Sequence, residues 1–398
     1  MTGHTTDTAG MTDTADVPGT AKAFTNGTHR VRHPRETWSI IEPKLARFGI
    51  TRVADVTGLD SIGIPVAMAI RPMAATVSVS QGKGRTRTLS KVSAAMEGIE
   101  LWHAERSRPA LAHRGVPAGS LPLPYRLRDL DTMPGSLVGA ATPLDWIAAR
   151  GLVGGGATVV PRDAVCFTSV DDRRWRPPGF RTNTNGLASG NSVAEAALHG
   201  LYEIVERDAL TGTPPGQSYV DPGSVEDEAC RELIERVLSA DAVLEIVRLP
   251  SRFGVPCFTV QIWSQDLPLT CLGAGAHSST SVALSRALTE AAQSRLTAIA
   301  GTRDDIGPLY ERVRDIGSAP PKAPEVLSPL GAEADESFDD VERELAWLCA
   351  RAAAVTGHEP LLVDLSTDDE FAVVKVLLPG AGLDLRRVHP GHDRPTRA

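Results

Sequence analysis

Aromatic side chains make up only 5% of the chain, too few for a protein built on base-stacking platforms. Basic residues are not in excess either: 41 Lys and Arg stand against 49 Asp and Glu, a formal charge of −8. A polyanion binder carries a basic surface, so nucleic-acid recognition is not expected. Cysteine is scarce. The five (Cys166, Cys230, Cys257, Cys271 and Cys349) are odd in number, widely spaced and free of any C-x-x-C pair, which fits neither a disulfide scaffold nor a zinc site. Buried, inert thiols in a reducing cytoplasm are the expectation. No run approaches the roughly 20 apolar residues needed to span a bilayer, and the N-terminus shows no apolar secretory stretch, so no membrane association is expected. The remaining composition, 42% hydrophobic and 23% charged over 398 residues, suits one large globular domain or two intimate ones.

Residues 1–29 are rich in Thr, Gly, Ala and Asp and nearly empty of large apolar side chains. Such a segment buries too little surface to offset its ordering entropy and reads as a disordered tail. A helix is predicted over 38–48, with Pro43 set to split it, then strands at 53–56, 66–70 and 75–80. Long helices are predicted at 88–106, 192–210 and 281–300, with β-branched runs between 244 and 272. Prolines at 320, 321, 324 and 329 mark a surface linker; a helix (342–356) and a final strand pair (361–363, 373–378) follow. Without regular βαβ alternation, the fold class is α+β, with 30–380 as the domain and 381–398 as a second tail.

The three long helices carry the chemistry. At about 100° per residue, Val193, Ala197, Leu198, Leu201, Ile204 and Val205 share one face of the second, while Glu195, His199, Glu203 and Glu206 form a separate stripe. The first helix aligns Ser90, Ser93, Glu97 and Glu100, and the third Arg286, Glu290, Gln293 and Thr297. A single E-x-x-E is ordinarily a solvated face, and Ser192 with Glu195 also fits a capping box. Three such helices in one chain argue for a site. Converging glutamates repel unless a cation compensates, and all-oxygen carboxylate sites suit Mg2+, Mn2+ or Ca2+. With Lys83, Arg207 and Arg286 nearby, a metal-bridged phosphate fits that set. The stretch Ser80-Gln81-Gly82-Lys83-Gly84 is not a P-loop, because Val77 and Gly84 stand at two required positions. Gly273-Ala274-Gly275 lacks the third glycine of a dinucleotide fingerprint. Each glycine cluster, taken alone, reads as a turn.

SVSQGKGRTRTLSKVSAAMEGIELWHAE (78–105), GLASGNSVAEAALHGLYEIVERDA (186–209) and GAGAHSSTSVALSRALTEAAQSRLTAIAGTRDD (273–305) resemble, in order, the three nucleotide-binding segments of the YcaO family. TRVADVTGLDSIGIPVAMAIRP (51–72) looks like the subgroup that works beside a TfuA-type protein. The resemblance implies an enzyme dependent on ATP and Mg2+ that activates a backbone amide of a ribosomally made peptide or protein. It implies Glu97, Glu100, Glu203, Glu206 and Glu290 as metal ligands or their neighbours. Arg30, Thr37, Lys83, Ser93, Asn191, Glu195, Arg207 and Arg286 are then expected at the nucleotide. Two positions depart from the family pattern: Leu101 follows Glu100 where an arginine is usual, and Ala188 stands where relatives can carry serine.

The nucleophile decides the product. Sulfide gives a thioamide; a Cys, Ser or Thr side chain gives an azoline, and an amine an amidine. The final residues, VHPGHDRPTRA, lack the P-x-P-x-P tail of azoline-forming relatives, so thioamide formation with a TfuA-like sulfur-delivering partner is the expectation. Azoline or amidine cyclodehydration is the alternative, and a non-catalytic nucleotide-binding scaffold the second. Homodimerisation is implied by the resemblance. No catalytic residue is assigned from the sequence.

Overall fold

The computed structural model describes residues 20–167, 179–211, 216–302, 319–321, 324–331, 335–367 and 369–382; the C-terminal tail beyond 382 lies outside them. A first antiparallel sheet holds β1 (Arg52–Asp55), β2 (Val66–Ile70) and β3 (Val79–Lys83) in that order. The largest sheet runs β4 (Leu111–Pro117), β5 (Pro143–Gly151), β12 (Leu361–Asp364), β13 (Ala372–Leu377), β7 (Leu187–Gly190), with β6 (Ala157–Pro161) also paired to β5. The third runs β11 (Cys271–Ala276), β10 (Cys257–Trp263), β9 (Val243–Leu249), β8 (Ser218–Tyr219). Antiparallel strands beside segregated helices make this an α+β architecture.

Helix α1 (Pro34–Ile41) opens with proline in its first turn and a capping box between His33 and Glu36. Pro43 falls where expected, and the chain continues as a 3-10 turn, Glu42–Phe48. The long helices are α2 (Arg87–Arg106), α3 (Val193–Thr211) and α5 (Thr280–Ala300); α4 (Glu228–Ser239) and α6 (Val341–Thr356) complete the set among the described residues. Each long helix follows directly on a strand at the end of its sheet: β3 leads into α2, β7 into α3 and β11 into α5.

Three apolar cores sit between these layers. The central sheet is buried on both faces, and its strands alternate accordingly. Leu361, Val363 and Val373 enter the core shared with α2 and β5; Leu362, Val374 and Val376 enter the core shared with α3 and α6. The third core packs α4 and α5 on β9 and β10 through Ile246, Phe258, Val260 and Leu288.

Three expectations are corrected. The strand predicted at 75–80 lies later, at Val79–Lys83, because Thr76 is captured by Glu105, which accepts from its backbone N–H at 3.1 Å and from its hydroxyl at 2.5 Å. Both glycine clusters are strands rather than turns. A Cβ on Gly82 would lie 2.0 Å from the Ala94 nitrogen, and one on Gly273 2.2 Å from the Ala287 carbonyl oxygen. Glycine is there because the helix backbone lies directly on the strand. Finally, residues 20–29 are placed. Ala21 pairs with Asp340 and Phe24 with Arg30, so the domain begins upstream of residue 30.

Candidate functional site

A cavity of about 320 Å3 is walled by strands β3 and β7 and by helices α2, α3 and α5. Helix α2 presents Ser93, Glu97 and Glu100 to it; α3 presents Glu195, His199, Glu203, Glu206 and Arg207; α5 presents Arg286 and Glu290. Lys83 enters from β3, Asn191 from the turn after β7, Thr37 from α1 and Arg30 from the segment before it. All thirteen residues expected at the metal or the nucleotide line one space, whereas Ser90 and Thr297 of the helix stripes are buried outside its lining.

The carboxylates are held by specific donors. Glu100 accepts from the Ser189 backbone N–H at 2.8 Å and hydroxyl at 2.6 Å. Glu97 accepts from the Gln81 N–H at 3.1 Å and Glu203 from the Gly186 N–H at 3.2 Å. Glu290 is bonded to Lys83. Arg207 lies 3.7 Å from Glu203 and 3.8 Å from Glu206. Glu195 is saturated by protein donors: the Asn191 N–H at 3.2 Å, the Asn191 amide at 3.0 Å and the Val31 N–H at 2.8 Å. Ser192 does accept from the Glu195 N–H at 3.2 Å, so half of the expected capping box forms. Glu195's carboxylate serves Asn191 and Val31 instead. Thr37 donates to Asn191 Oδ1 at 2.8 Å, so Thr37 and Glu195 together fix the Asn191 side chain.

Burial first, then the charges of Glu97 and Glu203, push Glu100 up to about 8 against its bond from Ser189. Burial and then Glu290 push Glu206 up to about 7, against Arg207. Glu203 is raised by burial, opposed by Arg207 and Lys375. For Glu290, burial is outweighed by Lys83 and Arg207, which hold it below the ordinary carboxylate range. His199, held well below its usual range by burial and Arg286, is neutral and accepts from Arg286 at 3.2 Å.

These features fit a divalent cation bridging a polyphosphate. The ligand set is all oxygen, and its members strain against one another in a way that a cation relieves. On the other side, Gln81 Nε2 and Arg286 Nε are buried without a hydrogen-bond partner among the described residues, donors suited to an anion. Because cation binding requires the ionised carboxylates, Mg2+ affinity is expected to rise from pH 6 to pH 9 as Glu206 and then Glu100 lose their protons. Titration calorimetry in buffers of different ionisation enthalpy reads the proton release; a flat profile would contradict it.

Sequence reasoning did not find Gln81, Ser189 or the cavity wall formed by Asn26, Gly27 and Thr28. Ser189 had a signal, its place two residues before Asn191. Residues 26–28 had none. All five cysteines are buried and free, as expected, and burial pushes the Cys271 and Cys349 thiols up to about 12.

Such a cavity, carboxylates on one side and cations on the other, suits a phosphate-bearing ligand with a divalent cation and owes nothing to a P-loop. The chain belongs to the YcaO family: residues 81–382 match the family described as YcaO cyclodehydratase, ATP- and Mg2+-binding. An uncharacterized protein of Mycobacterium tuberculosis (strain H37Rv) is 38% identical over 369 residues, 91% of this chain and 84% of that one. A Rhizobium leguminosarum bv. trifolii protein, described as an uncharacterized protein in the tfuA 3′ region, is 34% identical over 378 residues, 88% of each. The structure of YcaO from Methanopyrus kandleri bound with AMPPCP and Mg2+ superposes with a TM-score of 0.72 at 24% identity, covering 95% of this chain and 99% of that one. The chain is thus a YcaO-type enzyme of ATP-dependent peptide modification, with ATP and Mg2+ as its cofactors. No helix among the described residues is long and apolar enough to cross a membrane.

Proposed function

We propose that this enzyme replaces a backbone amide oxygen of a ribosomally made peptide or protein by sulfur, using sulfide delivered by a TfuA-like partner. The observation that carries the reading is the convergence of five glutamates from three helices on one cavity, opposed by Lys83, Arg207 and Arg286. Glu97, Glu100, Glu203, Glu206 and Glu290 would hold Mg2+, which when bound supplies charge neutralisation along the phosphates. Arg30, Lys83, Asn191 and Arg286 would bind and orient the nucleotide, with Thr37 and Glu195 fixing Asn191, and Ser93 and Arg207 completing the wall.

An amide oxygen is a poor leaving group, and phosphorylation makes it a good one. Sulfide adds to the carbonyl carbon, and the resulting oxyanion attacks the γ-phosphorus of ATP with release of ADP. The C–O bond then breaks, phosphate departs with the former amide oxygen, and loss of the sulfur-bound proton leaves the thioamide. Lys83 and Arg286 would stabilise charge on the phosphoryl oxygens as it develops, and the cavity supplies positioning. Two observations favour external sulfur. The Rhizobium relative is described by its place beside tfuA, and the buried cysteines of this chain offer no reactive thiolate to carry sulfur.

The test is intact mass spectrometry of the peptide encoded beside the gene, incubated with ATP, Mg2+, sulfide and the neighbouring TfuA-like protein. A gain of about 16 Da, sulfur for oxygen, is expected. A loss of about 18 Da would replace thioamidation by azoline or amidine formation. Absence of ATP turnover with every partner would leave a nucleotide-binding scaffold.

A further inference from the structure

The segment ahead of α1 folds back on itself over the cavity. Its outgoing limb is tied to the start of α6: the Lys22 N–H donates to the Asp339 carbonyl at 2.9 Å, and the Val341 N–H to the Thr20 carbonyl at 2.9 Å. Its returning limb carries Arg30, which exchanges backbone hydrogen bonds with Phe24 at 3.0 and 2.9 Å. Between the limbs, Asn26, Gly27 and Thr28 wall the cavity. The two limbs are in fixed register, so the placement of Lys22 sets the placement of Arg30.

Lys22 is held in an unusual way. Its side chain is 2% exposed, and its ammonium lies 2.7 Å from Glu344 Oε2, itself fully buried. The other Glu344 oxygen accepts from the Tyr202 hydroxyl at 2.5 Å and the Ser278 hydroxyl at 2.6 Å. Tyr202 adjoins Glu203 on α3, and Ser278 lies in the turn that leads into α5. Lys22 also lies 3.0 Å from His29 Nδ1, a ring kept neutral by burial and by Lys22 itself, at about 4. His29, His277 and Glu344 offer ligand atoms within 4.8 Å of one another, but the Lys22 ammonium already supplies the cation there. Packing alone does not call for such a group, since apolar side chains stabilise a buried contact as well. An ion pair specifies register.

We propose that Lys22 is a positioning residue for the nucleotide: seated on Glu344, it fixes the register of the folded-back segment so that Arg30 and the Val31 N–H meet Glu195 at the cavity wall. Arg30 stands 3.6 Å from Glu195 and the Val31 nitrogen 2.8 Å. The inference rests on the reading that Arg30 contacts nucleotide.

The test uses full-length Lys22→Met, Lys22→Arg, Arg30→Ala and the Lys22→Met/Arg30→Ala double variant. Affinity for AMPPCP with Mg2+ is measured by calorimetry and melting temperature alongside. Lys22→Met is expected to weaken binding about tenfold, the loss of one well-placed charged contact. Lys22→Arg should restore most of that, and the double variant should bind no worse than Arg30→Ala alone. If Lys22→Met fails to fold, Glu344→Gln, which keeps the two hydroxyl bonds, reads the same quantity. A lower melting temperature with affinity unchanged, or losses that add in the double variant, would overturn the proposal. An unaffected Arg30→Ala would instead overturn the assignment of Arg30 to the nucleotide, a separate failure.

Discussion

Glu206→Gln is expected to reduce ATP turnover by on the order of 10^3-fold or more while making the unliganded protein more stable at pH 8. Glu206 lies on α3 in the carboxylate cluster, 5% exposed, and burial and Glu290 raise it from 4.5 to about 7. A carboxyl raised in the folded state binds its proton more tightly there than in the unfolded chain, so ionising it costs folding free energy above its folded value. Glutamine keeps the shape and removes that charge. The gain is therefore present at pH 8 as a higher melting temperature, and it disappears as the pH falls below about 4, where the carboxyl is neutral in the folded and unfolded chains alike. Calorimetric melts at the two pH values, beside an ATPase assay, check both halves. A variant that loses activity and stability together at pH 8 would mean that Glu206 is a structural ion-pair partner of Arg207 rather than part of a site strained for function.

Gly82→Ala has the second large effect, on folding. The added Cβ would meet the Ala94 nitrogen at 2.0 Å and the Ser90 carbonyl oxygen at 2.2 Å. Both are helix backbone and cannot swing aside, so β3 and α2 must separate. Overpacking at yielding sites costs roughly 1–3 kcal/mol; with backbone as the obstacle, the cost here is put at more than about 3 kcal/mol. Gly139→Ala, where a Cβ meets nothing within 4 Å, is the control and should fall within about 0.5 kcal/mol of the parent. Urea unfolding of the two variants decides it, and equal midpoints would refute the close-packing account.

What was readable in the sequence follows from where the physics is local. Amphipathic periodicity and flanking caps placed α2, α3 and α5 nearly to the residue, and the same periodicity set Glu97, Glu203 and Glu290 on faces turned from the core. Pro43 ended α1 as its missing N–H requires. The glycines misled because the same residue signals a turn and a strand lying close under a helix, and only the approach of Ala94 distinguishes them. The segment 20–29 misled for another reason. It has few apolar side chains, and what orders it is an ion pair with Glu344 and backbone pairing to Asp340, more than 300 residues away in the chain. Ser189 at Glu100 likewise joins segments 89 residues apart, and its place beside Asn191 hinted at the site but not at this contact.

The order in which this protein assembles follows from its three strand–helix units. β3 with α2, β7 with α3 and β11 with α5 are each joined by a few residues, so each closes at low entropic cost and ahead of the long-range pairings. None of these units by itself opposes the carboxylates of one helix to those of another. That happens only when the units dock, which defers the repulsion of Glu100 by Glu203 and of Glu206 by Glu290 to the last stage of folding. Mg2+ is therefore expected to speed the docking step and to leave the formation of the units unchanged, and refolding rates measured with and without the cation check it.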